Sequence, residues 1–206
     1  MQEQNKDIYL IGAGGHAKVI LALLEALGMK CLGIYDDNKQ RHGTTLMGVP
    51  IIGAVNEIPD RRDISAVIAI GDNAVRKRIA ENFSNICWAT LVHPNSWVHN
   101  SVEIEEGSVV FAGAVIQPDT HIGKHTIINT SASVDHDCRI GDFCHIAPGC
   151  HLAGGVMIGD NVFLGVGTSV IPSISIISNT LVGAGAAVVC DISCSGTYMG
   201  VPATIK

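Results

Sequence analysis

The residues best suited to chemistry in this chain are histidines that lie close to acidic side chains. His136 has Asp135 on one side and Asp137 on the other, and His145 follows nine residues later. An imidazole, with an ordinary pKa of about 6.5, can take up a proton near neutral pH, and a carboxylate can orient its ring. The pattern indicates a general base for acyl transfer to an amine or hydroxyl, with His145 as a second catalytic or thioester-contacting residue. The alternative is a surface histidine in an acidic loop.

The other histidines of this stretch and the cysteines predict no further chemistry. His121, His125 and His151 are interpreted as surface residues. The chain has seven cysteines, an odd number, and no C-x-x-C pair, so neither a disulfide framework nor a metal site is predicted. Three cysteines at six-residue spacing are interpreted as small packing groups in a reducing compartment: Cys138, Cys144 and Cys150.

A glycine-rich turn near the N-terminus is the second candidate site. Gly12-x-Gly14-x-x-Ala17 follows an apolar run and opens a helical pattern, so its backbone can approach a phosphate at the helix N-terminus. Asp36 and Asp37 end the next predicted strand, where a carboxylate can accept a hydrogen bond from a ribose hydroxyl or a base N–H. The turn predicts binding of one nucleotide, since the sheet is too short for a dinucleotide. The alternative is that the glycines only allow tight packing of helix on strand.

The elements that must position this turn alternate between strand and helix over roughly the first 90 residues. A second loop, Gly71-Asp72-Asn73, falls at the same sheet edge and is either a ligand loop or a simple helix cap. The predicted strands are Ile8–Ile11, Lys30–Tyr35, Ala66–Ile70 and Cys87–Val92, and the predicted helices are Ala17–Leu27 and Ala74–Asn85.

The elements that must position the histidines repeat with a period of six. Every sixth residue from Val92 to Val188 is Val, Ile or Leu, over seventeen positions, and small or β-branched residues recur four positions later. Neither a helix nor a single strand has this period, whereas a solenoid of short parallel strands does. Three sixes make one coil of 18 residues, so Gly154 is predicted to lie directly against His136. The tail from Thr197 leaves the register and is predicted to fold back as a cap.

Composition excludes several classes of protein. The formal charge is -6 and no basic run is present, which argues against nucleic acid as a partner. No apolar run approaches the roughly 18 residues that cross a bilayer, so no membrane insertion is expected. The N-terminal MQEQNKDIYLIG has no secretion-signal pattern, and a cytoplasmic location is the expectation.

These motifs together resemble one family of bacterial sugar acetyltransferases. The resemblance lies in IYLIGAGGHAKVI, YDDN, AIGDNAVRKRI, LVHP, the segment VDHDCRIGDFCHIAPGCHLAGGVMIGDNVFLGVGTSVIP, and GVPA. The family contains sialic acid O-acetyltransferases and bacillosamine N-acetyltransferases. It implies a Rossmann-like α/β domain over residues 1–92, followed by an all-β, left-handed parallel β-helix of hexapeptide repeats with a cap over residues 93–206. It also implies a homotrimer with each active site between adjacent β-helices.

The resemblance also implies roles for individual residues. His136 matches the general base and Asp137 the acid that orients it, although the bacillosamine enzyme has the longer glutamate at this place. The residues that match the acetyl-CoA channel are His145, Gly154, Val166, Gly183 and Ala184, the last in place of a glycine. The residues that match the sugar-nucleotide site are Gly12, Gly14, His16, Asp36, Asp37 and Gly71.

The predicted reaction is transfer of acetyl from acetyl-CoA, without a metal, to the amino group of a nucleotide-linked sugar. A UDP-linked 4-amino-6-deoxy sugar is the first choice. One alternative is O-acetylation of a sugar hydroxyl, as on sialic acid. Others are a non-catalytic nucleotide-sugar-binding protein and, from the glycine turn, a nicotinamide-dependent reductase.

Overall fold

The structure is a computed structural model that describes residues 7–206. Residues 1–6, which begin the predicted first domain and carry part of the segment tested for a secretion signal, lie outside the described residues. The chain divides into two compact units, with the boundary between Leu91 and Val92. No helix among residues 7–206 is both long and apolar enough to cross a membrane.

The N-terminal unit is a six-stranded sheet with two α-helices. The strand order is β3-β4-β2-β1-β5-β6, and all neighbours are parallel except the β3–β4 hairpin. The strands are β1 (Asp7–Ile11), β2 (Lys30–Tyr35), β3 (Thr45–Leu46), β4 (Val49–Gly53), β5 (Ser65–Ile68) and β6 (Cys87–Trp88). The helices are α1 (Gly15–Ala26) and α2 (Asn73–Glu81), with short 3₁₀ turns at Lys39–Arg41 and Val55–Glu57.

The predicted strands and helices of this unit are confirmed with shifted ends, except for the strand predicted over Cys87–Val92. The structure divides it into β6 and a separate strand, Leu91–Val92, which belongs to a sheet of the C-terminal unit. Helix α1 begins earlier than predicted and buries one apolar face: Ala17, Ile20, Leu21, Leu23 and Leu24. Helix α2 begins where Asp72 accepts the Val75 N–H at 2.9 Å, so the predicted cap is confirmed. It ends at Glu81, before the predicted Asn85. The β3–β4 hairpin was not predicted, because its strands are short and partly exposed and so show no clear alternation.

Asp60 ties together two loops of this unit. One carboxylate oxygen accepts the backbone N–H groups of Asn85 at 2.8 Å and Ile86 at 3.2 Å, and the other accepts the side-chain amide of Asn85 at 3.2 Å and the Ser84 N–H at 3.3 Å. These hydrogen bonds, first that of the Asn85 backbone, lower the pKa of Asp60. The folded state therefore favours the ionised carboxylate.

Replacing Asp60 with alanine is expected to lower the thermal unfolding midpoint at neutral pH. Because folding depresses the pKa of Asp60, its contribution is present above the unfolded value of about 3.9 and is lost as pH falls through the lower folded value. Calorimetry of wild type and variant between acidic and neutral pH should show the difference in midpoint shrinking with acid. Asp63→Ala, which removes only an exposed pair with Arg61, is the control. Equal midpoints for wild type and Asp60→Ala would contradict this role.

The C-terminal unit is a solenoid of two-residue parallel strands, β7 to β23, arranged as three sheets. We call these sheets face 1, which begins at β7 (Leu91–Val92), face 2, which begins at β8 (Trp97–Val98), and face 3, which begins at β9 (Glu103–Ile104). Apart from the last strand of each face, each strand pairs with the strand 18 residues onward, as Ser133 does with His151. The further strands are β10 (Val109–Val110), β11 (Val115–Ile116), β12 (His121–Ile122), β13 (Ile127–Ile128), β14 (Ser133–Val134), β15 (Arg139–Ile140), β16 (His145–Ile146), β17 (His151–Leu152), β18 (Met157–Ile158), β19 (Phe163–Leu164), β20 (Ser169–Val170), β21 (Ser175–Ile176), β22 (Leu181–Val182) and β23 (Ala187–Val188).

The two sequence series have the structural roles predicted for them. The aliphatic series fills the interior, where Val110 and every later member to Val188 are buried. From Ser108 onward, the residue before each small one turns the corner with a positive φ, which explains the many Gly, Asp and Asn residues. These corner residues are Gly107, Gly113, Asp119, His125, Ser131, Asp137, Phe143, Gly149, Gly155, Asn161, Gly167, Ser173, Asn179 and Gly185.

The small-residue series also satisfies buried carbonyl groups. Thr126 donates its hydroxyl to the Gly141 carbonyl at 2.8 Å, fifteen residues onward. The thiol of Cys144 does the same to Gly159 at 3.0 Å. The three regularly spaced cysteines are fully buried at equivalent positions, as their predicted packing role requires. Burial raises the pKa of Cys150, which keeps its thiol protonated and unreactive.

The tail folds back on the last coil, as predicted. Strand β24 (Thr197–Met199) pairs in parallel with β22, and β25 (Thr204–Ile205) then pairs antiparallel with β24. These two strands extend face 1 at its C-terminal end and cover the open edge that a solenoid otherwise leaves there.

Candidate active site

His136 lies at the corner between faces 2 and 3 and is held by Asp137. Its Nδ1 is 2.7 Å from the Asp137 carboxylate, while its backbone N–H donates to the Asp135 carboxylate at 2.8 Å. Because a carboxylate accepts and does not donate, Nδ1 carries the hydrogen, and Nε2 is left to accept a proton. The imidazole is 60% exposed, so a substrate can reach it. The pair has the arrangement of a general base and its orienting acid.

The same contact raises the pKa of His136. The hydrogen bond that His136 donates to Asp137 is the largest cause of this rise. Burial, the second cause, acts in the opposite direction, and the charges of Asp135 and Asp137 add to the rise. A raised pKa makes the imidazole a stronger base but requires a higher pH for its neutral, active form. Asp137 has a φ of 58°, which it shares with the other corner residues of the β-helix.

Gly154 lies against the His136 ring, which confirms the predicted stacking. A Cβ atom at Gly154 would lie 2.6 Å from both Cε1 and Nε2 of the imidazole. The neighbouring Gly155 N–H donates to the His136 carbonyl at 2.9 Å, as the coil register requires. Only glycine therefore lets the ring rest on the next coil with its reactive nitrogen at the surface.

His145 lies on face 1 in a different environment. It is only 9% exposed, its Nε2 is 3.0 Å from the Asn129 amide nitrogen, and the ring of Phe163 packs edge-on at 5.2 Å. The Asn129 amide is oriented by its oxygen, which accepts the Thr130 N–H at 2.8 Å. Asn129 therefore donates to Nε2, which leaves the hydrogen of a neutral His145 on Nδ1. The sequence analysis missed Asn129, although its place one coil from the segment around His145 could have indicated it.

The N-terminal unit contains a cleft of about 870 Å³ at the carboxyl edge of its sheet. This volume suits a nucleotide-sized ligand, and the position is where open parallel sheets bind ligands. Its floor is formed by Gly12 and Ile70, and one wall by segments 36–39 and 54–56. The other wall is the face of α2 and the residues just beyond it: Val75, Arg78, Ile79, Asn82 and Phe83.

Only some of the predicted sugar-nucleotide residues line this cleft. Gly12, Asp36 and Asp37 do, whereas Gly14, His16 and Gly71 are not among its lining residues. Within the described chain, the sequence analysis missed further polar residues on both walls of the cleft, because no motif marks them. These are Lys39, Asn56, Arg78 and Asn82.

Backbone groups of the glycine turn form hydrogen bonds with other residues of the protein. Gly12 has a φ of 101° and donates its N–H to the Tyr35 carbonyl at 2.7 Å, and a Cβ there would lie 2.6 Å from the Ile70 side chain. The Ala13 N–H donates to Asp36 at 2.7 Å, and Arg41 donates to the Ala13 carbonyl. Gly12 thus serves the tight packing that was the alternative interpretation of this turn, while it also lines the cleft.

The two carboxylates at the end of β2 differ in the number of oxygens that remain free to accept a hydrogen bond from a ligand. Both oxygens of Asp36 accept backbone N–H groups, from Ala13 at 2.7 Å and Asn38 at 2.9 Å. Asp37 uses one oxygen to accept the Val55 N–H at 2.9 Å, and its second oxygen accepts no hydrogen bond from any described residue. Asp37 is therefore the better acceptor for a ribose hydroxyl or a base N–H.

The sequence and the fold both match known proteins. Residues 7–83 match the PglD N-terminal domain, and residues 119–154 and 137–172 match the bacterial transferase hexapeptide. Among curated proteins, UDP-N-acetylbacillosamine N-acetyltransferase of Bacillus subtilis is 40% identical over 114 residues, 52% of each chain. An uncharacterised Acanthamoeba polyphaga mimivirus protein is 35% identical over 59% of this chain and 24% of its own length. The chain thus spans about half or less of these curated relatives.

Two solved structures match along almost the whole chain. The acetyltransferase domain of PglB from Neisseria gonorrhoeae is 35% identical with a TM-score of 0.91, over 98% of this chain and 100% of that one. The chain belongs to the bacterial sugar acetyltransferases of the hexapeptide-repeat family. PerB from Caulobacter crescentus, solved in complex with CoA and GDP-perosamine, is 41% identical with a TM-score of 0.90, over 97% of each chain.

The residues predicted for catalysis and for CoA binding lie at two different corners of the β-helix. His136 and Gly154 lie at the corner between faces 2 and 3. The corner between faces 1 and 2 carries Val166, Gly183 and Ala184. His145 lies on face 1, which adjoins that corner. All of face 2 separates the two groups, so one protomer does not bring them together.

The other histidines of the β-helix pack against neighbouring side chains or lie at its surface. The prediction that His125 is a surface residue is wrong: it is 3% exposed and stacks on Phe143 with ring centroids 5.2 Å apart. It is buried because the repeat places the two rings one coil apart at the same corner. His121 is half-buried beside Glu105 at 2.9 Å, and His151 is exposed. In residues 7–206, no group of three or more His, Cys, Asp or Glu side chains could hold a metal ion.

Proposed function

We propose that the protein transfers an acetyl group from acetyl-CoA to the amino group of a nucleotide-linked sugar. The observation that supports this most directly is the His136–Asp137 pair over Gly154, in the same chain as a nucleotide-sized cleft. Two relatives, a UDP-N-acetylbacillosamine N-acetyltransferase and a protein solved with CoA and GDP-perosamine, favour an amine over a hydroxyl as acceptor. A UDP-linked 4-amino-6-deoxy sugar is our first choice.

The reaction follows from the geometry of His136. The sugar amine attacks the thioester carbonyl carbon, and Nε2 of His136 takes the proton that the nitrogen loses. The C–S bond then breaks, and the thiolate of CoA takes up that proton as it leaves. Asp137 holds the ring and stabilises the imidazolium that forms between the two steps. An N–H donor, from the backbone or from His145 Nδ1, stabilises the oxyanion.

We further propose that the active site is shared between adjacent subunits of a homotrimer. The two groups of candidate residues lie at separate corners of one protomer, and a closed ring of identical subunits brings unlike corners together at every interface. His136 and Gly154 of one subunit would then face His145 and the Val166–Ala184 corner of the next. The acetyl-CoA channel would run between them.

Mixing two inactive variants tests this sharing. In trimers assembled at random from His136→Ala and His145→Leu subunits, some sites combine two intact corners, so about a quarter of the wild-type rate should return. Subunits should be exchanged by mild denaturation, with trimer mass checked by light scattering. A mixture of His136→Ala with His136→Asn is the control and should stay inactive. No recovery in exchanged trimers would place each site within one subunit.

The activity itself is tested by incubating the protein with acetyl-CoA and a panel of acceptors, with product detection by mass. We expect acetylation of UDP-linked 4-amino sugars and none of free sialic acid. O-acetylated sialic acid as product would favour the hydroxyl alternative instead. Failure of CoA to bind in calorimetry would favour a non-catalytic binding protein. We place this reaction in the cytoplasm, in the biosynthesis of a surface glycan or glycoprotein.

A further inference from the structure

Two basic side chains line opposite walls of the nucleotide-sized cleft. Lys39 comes from the 3₁₀ turn after β2, and Arg78 comes from the face of α2. Both side chains belong to exposed residues, and neither forms an ion pair with any residue in 7–206. The cleft therefore presents two cations that no carboxylate of residues 7–206 neutralises by direct contact.

The basic residues that precede Arg78 on α2 contact other parts of the protein and not the cleft. Arg76 is 1% exposed and donates to the carbonyls of Ile70 and Gly71 at 3.1 and 3.2 Å, so it supports the loop beneath α2. Lys77 lies 3.9 Å from Glu81 on the outer side of the same helix. The walls of the cleft thus hold only Lys39 and Arg78 as cations within the described residues.

The backbone that carries Lys39 is held in place on both sides. The Asn38 N–H donates to Asp36 at 2.9 Å, and the Asn38 side chain accepts the Gln40 N–H at 3.1 Å. His42 contacts the Asp36 carbonyl at 2.7 Å through Nε2. A fixed backbone reduces the ordering cost when the lysine side chain binds a ligand.

The acidic and the basic side chains of the cleft lie at different places in its lining. Asp36 and Asp37, the acids of the lining, end β2 beside the glycine turn, where Asp37 keeps one free oxygen for a hydroxyl or base N–H. The N–H groups of Gly12 and Ala13 are already taken by the protein, so this part of the turn offers no donor to a phosphate. The side chains of the lining that can neutralise an anionic part of the ligand are Lys39 and Arg78.

We propose that Lys39 and Arg78 bind the diphosphate of the sugar nucleotide from its two sides. This inference rests on the proposed function and specifies its substrate class. A nucleoside diphosphate sugar has one anionic phosphate for each cation, whereas a sugar linked through a single phosphate engages only one of them, and a free sugar engages neither. The cleft thereby selects nucleoside diphosphate sugars over nucleoside monophosphate sugars such as those of sialic acid.

Calorimetric titration of the full chain with UDP and with UMP tests this binding by Lys39 and Arg78, which we call the diphosphate clamp. We expect wild type to bind UDP at least about tenfold more tightly than UMP, and Lys39→Gln and Arg78→Gln each to weaken UDP binding by about tenfold. The double variant should bind UDP and UMP alike. Lys77→Gln and Arg62→Gln, which remove cations outside the cleft, are the matched controls and should bind as wild type. The UDP affinity of wild type should fall with added salt.

Kinetics separate binding from chemistry. The variants are expected to raise KM for the nucleotide sugar while kcat and the affinity for CoA stay unchanged. Wild type that binds UMP as tightly as UDP, or fails to bind UDP, would overturn the clamp, as would variants that bind UDP normally. If UDP binds as expected but no nucleotide sugar is acetylated, the clamp stands and the proposed function fails.

Discussion

Replacing His136 with alanine is expected to lower kcat by about 10²–10⁴-fold, the typical loss when a general base is removed. The affinity for CoA should change little, because the imidazole acts on the acceptor's proton and its neighbours in the coil are unaffected. Steady-state kinetics with calorimetric binding of CoA would measure both. Turnover close to wild type would remove His136 from the mechanism.

The pH dependence gives an independent readout of the same group. Only neutral His136 can take a proton, so kcat should rise with pH through its pKa, which the hydrogen bond to Asp137 raises. Asp137→Asn removes the largest cause of that rise, so the inflection should move to lower pH and the plateau should fall as the ring loses its orientation. Asp135→Asn is the comparison and should shift the inflection less. An inflection that stays in place in Asp137→Asn would show that Asp137 does not tune the base.

Replacing His145 with leucine is expected to lower kcat by roughly 10²-fold, the loss typical of one oxyanion donor. Leucine preserves the buried volume but removes the imidazole whose tautomer the Asn129 contact sets. Asn129→Leu should have a similar effect, because the tautomer of His145 is then no longer specified. The double variant should be no slower than the worse single variant, since both act through one N–H.

Phe163→Leu is the control for this prediction. It changes the packing against His145 without touching its hydrogen bond, so stability should fall while kcat stays near wild type. Independent, additive losses in the double variant would mean that Asn129 acts on the substrate by itself. Normal turnover in His145→Leu would leave oxyanion stabilisation to the backbone.

The solenoid was predictable because its physical rule is local and repeated. Each coil has three strands around its interior, and each strand places one aliphatic side chain there. The sequence shows this as one aliphatic residue in every six, without a break from Val92 to Val188. Parallel strands in register place residues 18 apart in contact, which is how the stacking of Gly154 on His136 follows from counting alone.

The cleft and its chemistry were less predictable because they depend on contacts between distant segments. Lys39 and Arg78 carry no motif and are brought to one cleft only by the order of the strands. His125 resembles a surface residue in sequence, yet the ring of Phe143 lies one coil away and stacks on it. Asn129 shows its role only through the direction of its amide.

The amino-acid sequence by itself determined the β-helix, its register and the place of the candidate base, because a strict hydrophobic period leaves only one way to bury its side chains. The tertiary structure decided which partner each polar group has. Asp137 rather than Asp135 holds the imidazole, Asp36 serves the backbone while Asp37 keeps an oxygen free, and the two catalytic corners lie apart. Hydrogen bonds depend on distances of a few tenths of an ångström and on direction, which spacing along a chain does not encode.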